Sequence, residues 1–368
     1  MPSMMVATLG IALPEIRQSF SLSEVAAGSL FSVMMIVAAL TSAGAGRLAD
    51  RIGPKKVLIA GLTLLGVGFA GAGMSEHRIV FASFLALTGV GYGFTPPSLY
   101  LIMSELLPQR RGLGASLISV AYGIGGAIGA LLSSRVATLF GWRYAFLTVG
   151  IVAATDMLVQ LFFIRERRRT YSARRPSSFK AALSFSLLLL AVVEFIGGSV
   201  FWSCAAWTPT AMRSAKSLTI QQTGWIMSIL SIANMVGSFC LGSLSDKLGR
   251  RLVIMASAFP AALASFAVFY WLDSVAAIAA GIFLFGVLKA SVPALIIALA
   301  QETAPAGSAG TAAGVIMCLH YTSGVLAPLI AAKLISATGD ILLTMILVSS
   351  VPLVVYGSLV GVVGERSR

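Results

Sequence analysis

The chain has 368 residues, of which 58% are hydrophobic and 11% are charged, and its mean hydropathy is +0.94. Soluble proteins carry about 25% charged residues, so this composition excludes a soluble globular protein. The formal net charge is +13, but the basic residues punctuate hydrophobic stretches and form no separate domain, so we expect no nucleic-acid partner; membrane proteins collect such charge in their cytoplasmic loops.

Apolar stretches follow one another along the whole chain. A helix needs roughly 20 apolar residues to cross a bilayer, and one short stretch is followed by eleven of that length. They are 1–14, 24–45, 56–75, 79–103, 113–134, 143–164, 181–206, 223–243, 252–272, 275–298, 311–335 and 340–362. The sequence predicts an all-α membrane protein with about 12 transmembrane helices, the first of them truncated.

The most basic connector divides six of these spans from six. It covers 165–180 and reads RERRRTYSARRPSSFK. We therefore expect an N-terminal half at 1–164, a basic linker at 165–180 and a C-terminal half at 181–368.

Basic residues are distributed unequally between the two sides of the membrane. If the linker is cytoplasmic, its side holds 18 Lys and Arg and the other side holds 7, while Lys289 lies inside a span. Cytoplasmic connectors are the richer in Lys and Arg. The sequence thus predicts a multi-pass protein of the plasma (inner) membrane with a cytoplasmic linker and C-terminus.

Two connectors repeat one another with an offset of 196 residues. The first begins at Gly46 and reads GRLADRIGPKKVL; the second begins at Gly242 and reads GSLSDKLGRRLVI. Gly46 and Gly242 permit close approach of a neighbouring backbone, and Gly53 and Gly249 permit a tight reversal between helices. Duplication of a six-helix half is a common plan among secondary transporters.

The repeat also predicts that the first span is incomplete. The seventh span starts about 65 residues before Asp246, whereas residue 1 lies 49 residues before Asp50. A signal peptide fits poorly, because no basic segment and no small-residue cleavage site precedes Pro14. We expect the native start to lie upstream; the alternative is a truncated, inactive transporter.

The two connectors resemble the loop signature of the major facilitator superfamily. The segment GWRYAF at 141–146 is similar to the family's entry into helix six, and LGIALPEIRQSF at 9–20 resembles its end of helix one. The resemblance covers the chain apart from the front of the first span. It implies two six-helix bundles in a lipid bilayer that move a small-molecule substrate by alternating access, without a cofactor and without an implied oligomer.

In that family, the loop aspartate and its basic neighbours form a cytoplasmic lock between the two halves. The resemblance implies a gating motif composed of Gly46, Asp50, Arg51, Gly53, Gly242, Asp246, Gly249, Arg250 and Arg251. An aspartate next to a helix terminus is favoured by the helix dipole. The alternative is that the basic residues only set the topology.

Two departures separate the sequence from the drug–proton antiporters of this superfamily. Those antiporters usually carry an arginine four residues before a glycine in helix four, where this chain has Leu85 before Gly89. They also carry a Gly-Pro-rich helix five, and here 123–134 retains Gly125 and Gly129 but has no proline. Both departures favour uptake or facilitated exchange over drug antiport.

Four ionisable residues lie well inside predicted spans: Asp156, Glu194, Lys289 and His320. A charge at mid-membrane costs about 2.5–3.5 kcal/mol on insertion scales, so each is a functional candidate. The family's cavity helices are one, four, seven and ten, and Glu194 and Lys289 fall on spans seven and ten. We expect Lys289 to bind a carboxylate as a point charge, and Glu194 to titrate when the substrate captures its ion-pair partner. The alternative is a fixed ion pair between the two.

The remaining candidates are a possible proton carrier and the walls of the substrate pathway. His320 can exchange protons near neutral pH, or it is a hydrogen-bonded packing residue, and Asp156 is expected to bond a neighbouring helix. Glu194, Gly198 and Trp202 are spaced by four and share one helix face, which offers a carboxylate, a gap and an aromatic wall. Further wall candidates are Tyr92, Thr95, Tyr122 and Asn234. Trp202 has the alternative of an interfacial anchor.

These residues favour secondary transport of a small organic anion, a carboxylate, together with a proton. The alternative is efflux of lipophilic drugs or other small molecules. The sequence has two histidines, no H-E-x-x-H and no G-x-x-x-x-G-K-[ST], so neither a metalloprotease site nor a phosphate-binding loop is predicted. We therefore expect neither an enzyme nor an ATP-driven pump.

Overall fold

The computed structural model describes residues 1–22, 24–164, 184–218, 220–289, 292–305 and 307–361. The predicted linker at 165–180 lies outside these described residues. Within them, every element is an α-helix, so the predicted all-α class is confirmed. The helices are α1 (Pro2–Ser19), α2 (Glu24–Ile52), α3 (Pro54–Gly73), α4 (Arg78–Leu106), α5 (Arg111–Phe140), α6 (Trp142–Phe163), α7 (Phe185–Ser214), α8 (Ile220–Leu248), α9 (Arg250–Tyr270), α10 (Val275–Lys289), α11 (Val292–Thr303), α12 (Ala309–Thr338) and α13 (Ile341–Val360).

The membrane spans follow the predicted pattern closely. In the described part of the chain, 10 spans are long and apolar enough to cross a bilayer. The tenth predicted span corresponds to α10 and α11 together, which form one candidate span, Val275–Thr303. The first helix is not among the ten, as its short apolar run predicts. The fifth predicted span lies on α5, whose described apolar stretch is Leu113–Gly129.

The two reversals in the repeated connectors use glycine in a left-handed conformation. Gly53 lies between α2 and α3 with a φ of 99°, and Gly249 lies between α8 and α9 with a φ of 90°. A side chain is strained at such angles. The same device therefore sets the start of the helix that follows each copy of the motif.

One compact unit of the chain comprises Met1–Ile102, Ala121–Ala182 and Ala304–Cys318. Its main helix pair is α3 with α6. The rings of Phe69 and Phe146 stack there with centroids 4.2 Å apart. Gly150 brings α6 close to α3, since a Cβ at this position would lie 2.7 Å from that of Ala70. Small residues and stacked rings thus pack the pair, as is usual for helices in lipid.

The second compact unit comprises Met103–Val120, Leu183–Thr303 and Leu319–Arg368. Its main pairs are α9 with α13, α8 with α10, and α7 with α13. Phe269, Phe285 and Met345 are buried in its apolar core. The division does not follow the order of the sequence, because the first turns of α12 belong to the first unit and the start of α5 belongs to the second.

Candidate functional site

A buried acid–base pair joins α7 to α12. The Nδ1 atom of His320 lies 2.8 Å from Oε1 of Glu194, and the Glu194 side chain has no exposed surface. The other carboxylate oxygen, Oε2, is buried and has no hydrogen-bond partner among the described residues. A buried carboxylate with an unpaired oxygen is costly. The site therefore places an acidic and a basic side chain in contact inside the protein.

Gly198 explains why α12 approaches α7 so closely at this point. It lies one turn after Glu194, and a Cβ there would be 2.5 Å from Oγ of Ser323 and 3.0 Å from Nδ1 of His320. The predicted gap on this helix face is therefore filled by two side chains of α12. The expectation of an open gap is wrong, because a residue without a side chain admits the neighbouring helix as readily as a ligand.

Lys289 is a buried cation held against aromatic rings. It ends α10 and is 5% exposed. Its Nζ lies 4.5 Å from the ring centroid of Phe201 and 5.8 Å from that of Phe285. The expected ion pair with Glu194 is wrong, since that carboxylate pairs with His320 instead. Among the described residues, Lys289 has no ion-pair partner, so its positive charge is not neutralised.

Aromatic side chains surround the pair and the lysine. Trp202 is 8% exposed, and its ring centroid lies 5.7 Å from that of His320 and 5.1 Å from that of Phe201. This burial excludes the interfacial anchor for Trp202. The cluster therefore combines a buried lysine, a hydrogen-bonded carboxyl–imidazole pair and an aromatic wall.

The first copy of the repeated motif places Asp50 against the start of α12. Its carboxylate accepts hydrogen bonds from the backbone N–H groups of Gly310 and Thr311 at 2.8 and 2.6 Å, and from the Thr311 hydroxyl at 2.6 Å. The first N–H groups of a helix have no partner inside it and carry a partial positive charge. Gly46 lies one turn before Asp50, and a Cβ there would collide with the carbonyl of Gly310.

The second copy makes the equivalent contact with the start of α5. Asp246 accepts from the backbone N–H of Leu113 at 3.0 Å and from the Arg250 guanidinium at 2.9 Å. Arg250 is 2% exposed and also pairs with Glu302 at 2.7 Å. Leu113 and Thr311 are each the third residue of their helix. Both aspartates thus bind the first turn of a helix from the other half of the sequence.

The two copies differ in their basic residues. With the repeat offset of 196 residues, Pro54 occupies the position of Arg250, so the first copy lacks the arginine that bonds Asp246 in the second copy. Arg51 is exposed and Arg251 is half-buried.

Sequence reasoning missed Glu302, Gly310, Leu113 and Thr311 as partners of the motif. One signal was available, because Glu302 is the only charged residue of the connector 299–310. The other partners contribute backbone N–H groups, which carry no residue-type signal at all.

The other predicted wall residues are scattered. Tyr92 is buried on α4. The Thr95 hydroxyl donates to the Gly91 carbonyl of its own helix at 2.8 Å and faces α3. Tyr122 is half-buried, and its hydroxyl has no partner among the described residues. These three belong to the first compact unit, whereas Asn234, half-buried on α8, belongs to the second.

Asp156 bonds within its own helix rather than to a neighbour. Its carboxylate accepts from the Gln160 side chain at 3.0 Å, so the expected contact with another helix is replaced by one a single turn away. Within the described ranges, no group of three or more His, Cys, Asp or Glu side chains could hold a metal ion.

Membrane-length helices in a duplicated arrangement define a multi-pass membrane protein. The chain belongs to the Major Facilitator Superfamily, whose sequence pattern matches residues 2–328. This is a family of membrane transporters and not of enzymes.

Several transporters of this family are similar to the chain. The gallate transporter of Pseudomonas putida is 26% identical over 289 residues, which cover 68% of this chain and 64% of the relative. The 4-hydroxybenzoate transporter PcaK of Pseudomonas aeruginosa is 23% identical over 287 residues, 67% of this chain and 64% of the relative. The chain thus spans 64% of the length of these two. The 3-(3-hydroxy-phenyl)propionate transporter of Escherichia coli is 26% identical over 342 residues, 90% of this chain and 83% of the relative.

Solved structures of the superfamily have the same fold. The human organic anion transporter MFSD10 superposes with a TM-score of 0.84 at 16% identity, covering 98% of this chain and 96% of that one. The Escherichia coli fucose:proton symporter FucP superposes with a TM-score of 0.80 at 14% identity, covering 99% of this chain and 96% of that one. The predicted superfamily fold is therefore confirmed.

Proposed function

We propose that this protein transports small aromatic carboxylates across the inner membrane by alternating access, together with a proton. The observation that carries the proposal is the buried ammonium of Lys289, which faces aromatic rings and has no ion-pair partner in the described part of the chain. Three similar transporters are named for gallate, 4-hydroxybenzoate and 3-(3-hydroxy-phenyl)propionate. Each of these compounds carries a carboxylate on or near an aromatic ring.

Lys289 is suited to release its rings in favour of a carboxylate. A desolvated cation–π contact is worth about 2 kcal/mol. A carboxylate at about 4 Å gains roughly 4 kcal/mol at the effective dielectric near a protein surface, and more where water is excluded. The ammonium therefore moves from the ring faces to the substrate. The ring of Phe201 is then left to pack against an aromatic ring of the substrate.

The charges around Glu194 support proton coupling. Lys289 lies against the ring of Phe201, whose centroid is 6.0 Å from that of His320, the partner of Glu194. When a substrate carboxylate neutralises that ammonium, the anionic form of the Glu194–His320 pair loses a stabilising charge. The pair then binds a proton more readily, so anion and proton move in the same direction.

The walls of the substrate pathway in this proposal retain five candidates: Tyr92, Thr95, Tyr122, Trp202 and Asn234.

The repeated motif supplies the gate in this proposal. The N-terminal half at 1–164 rocks against the C-terminal half at 181–368. Opening on the cytoplasmic side then requires both aspartates, Asp50 and Asp246, to leave their helix N-termini. Arg250 bonds Asp246 directly. The other two basic residues of the motif are Arg51, next to Asp50 in the sequence, and Arg251, next to Arg250. The excess of Lys and Arg on one set of connectors supports a cytoplasmic linker and C-terminus.

Ligand-dependent thermal stability of the purified protein in detergent tests the proposal. A ligand that binds only the folded state raises the unfolding temperature, and at 100 times its Kd it adds about 2.7 kcal/mol. We expect 4-hydroxybenzoate and gallate to stabilise the wild type, and this effect to disappear in Lys289→Ala. Lys333→Ala, an exposed lysine on α12, is the control.

Two results would overturn the proposal. One is equal stabilisation of wild type and Lys289→Ala by the carboxylates. The other is stabilisation by lipophilic cations alone, which would favour drug efflux.

A further inference from the structure

We propose that the start of α3 and the end of α6 form a binding site for an anionic phospholipid of the cytoplasmic leaflet. A groove of about 660 Å³ opens on the surface there. It is lined by Lys55, Lys56, Ile59, Ala60, Thr63, Leu64 and Leu161. The inference does not depend on which substrate the protein transports.

The body of the groove is apolar and faces outward. Ala60 and Leu161 are exposed, and Ile59 is half-buried. Thr63 adds no free donor, because its hydroxyl is bonded to the Ile59 carbonyl of the same helix at 2.9 Å. In a bilayer this wall meets lipid tails, so an acyl chain can occupy it without leaving a polar group unpaired.

The charged end of the groove is formed by two lysines that are consecutive in the sequence. Lys55 is half-buried and Lys56 is exposed. Among the described residues, neither side chain has a hydrogen-bond or ion-pair partner. They lie in the first turn of α3, where the helix dipole also favours a negative charge. Among the described residues, no acidic residue lines the groove, and the nearby Asp50 is bound to the start of α12.

The second copy of the motif has a basic residue that is paired with acids of the protein itself. Arg250, in the first turn of α9, is buried and bonded to both Asp246 and Glu302. Lys55 and Lys56 follow Pro54, the counterpart of Arg250, and have no acidic partner among the described residues. Their charge is therefore available to a group outside the chain.

A phospholipid matches this arrangement better than a soluble anion does. The phosphate would lie between the two ammonium groups at headgroup depth, and one acyl chain would follow the wall formed by Ile59, Leu64 and Leu161. A free phosphate would use the charged end alone. Each basic residue near an anionic membrane surface strengthens the attraction to that surface, so two lysines and an apolar groove together select an anionic lipid over a zwitterionic one.

The test measures the unfolding temperature of the full chain in detergent while lipid is added. Short-chain phosphatidylglycerol is compared with phosphatidylcholine of the same chain length and with inorganic phosphate. We expect phosphatidylglycerol to raise the unfolding temperature by several degrees and the other two to have little effect. In Lys55→Gln/Lys56→Gln the shift should fall by at least half. The control Lys247→Gln/Lys333→Gln removes the same charge from two exposed lysines elsewhere.

A second variant tests the groove without changing its charge. Ala60→Trp fills the apolar wall, and we expect it to reduce the phosphatidylglycerol shift while both lysines remain. Equal shifts in the wild type and in Lys55→Gln/Lys56→Gln would overturn the proposal, as would equal responses to the two lipids. A response to inorganic phosphate as large as that to lipid would replace it with a soluble-anion site. If the double lysine variant does not fold, an unchanged shift in Ala60→Trp overturns the proposal alone.

Discussion

His320 and Glu194 form a hydrogen bond of 2.8 Å between α12 and α7, and the carboxylate is fully buried. This pairing leaves Lys289, the nearby cation, without an acidic partner among the described residues. A direct Glu194–Lys289 ion pair would cancel both charges and offer nothing to an anion. In the proposed mechanism, His320 holds the acid, so Lys289 binds the substrate and the Glu194–His320 pair takes up the proton.

Replacing Glu194 by Gln should separate substrate binding from proton coupling. The amide keeps the size and hydrogen-bonding capacity of the side chain but cannot exchange a proton. We expect exchange of labelled substrate across proteoliposome membranes to persist, while an inward proton gradient no longer drives accumulation. Accumulation at the wild-type level in Glu194→Gln would contradict a role for this carboxylate in coupling.

Replacing Phe201 by Leu should change substrate preference. The ring contacts the Lys289 ammonium at 4.5 Å, and aromatic pairs are worth about 0.5–1.5 kcal/mol beyond their buried area. We expect affinity for 4-hydroxybenzoate to fall about threefold to tenfold, with little change for an aliphatic carboxylate of similar size. Competition against a labelled substrate gives both affinities.

Phe283→Leu is the matched control for that measurement, because Phe283 lies on α10 and is 42% exposed. It should leave the preference unchanged. If Phe201→Leu lowers the affinities for aromatic and aliphatic carboxylates equally, the ring positions Lys289 but does not select aromatic substrates.

Asp50 and Thr311 should differ in how strongly they stabilise the start of α12. Asp50→Asn removes the negative charge that accepts three hydrogen bonds, whereas Thr311→Val removes one donor and leaves both backbone N–H groups in place. Hydrogen bonds to a charged group contribute about 1.5–3 kcal/mol each. We expect a clearly lower unfolding temperature and faster amide exchange in the first turn of α12 for Asp50→Asn, and a smaller change for Thr311→Val.

Thr63→Val serves as the control for the loss of a threonine hydroxyl, since Thr63 is exposed and bonded only to its own helix. Equal effects of Asp50→Asn and Thr63→Val would show that the aspartate does not hold α12.

The fold could be predicted from the sequence far better than the partners of its charges. Spans depend on local composition, and the reversal at Gly53 depends on one residue's backbone freedom, so both are visible in the chain itself. The partner of Asp50 is a pair of backbone N–H groups about 260 residues away, and no residue type announces them. Glu194 was predicted to lie inside a span, but its expected partner was Lys289 and its observed partner is His320. The sequence does not indicate which helix packs against Gly198.

Gly198 allows α12 to approach α7 closely enough for His320 to pair with Glu194. Gly198→Ala should therefore disrupt this pair. The added methyl group would lie 2.5 Å from Oγ of Ser323 and 3.0 Å from Nδ1 of His320, so α12 must shift or the histidine must turn away from Glu194. Overpacking of this kind costs about 1–3 kcal/mol, and we expect a lower unfolding temperature together with loss of proton-driven accumulation. Gly10→Ala, at an exposed position of α1 with nothing within 4 Å of the added atom, is the matched control. Wild-type stability and accumulation in Gly198→Ala would show that the close approach of α12 to α7 does not set the geometry of the Glu194–His320 pair.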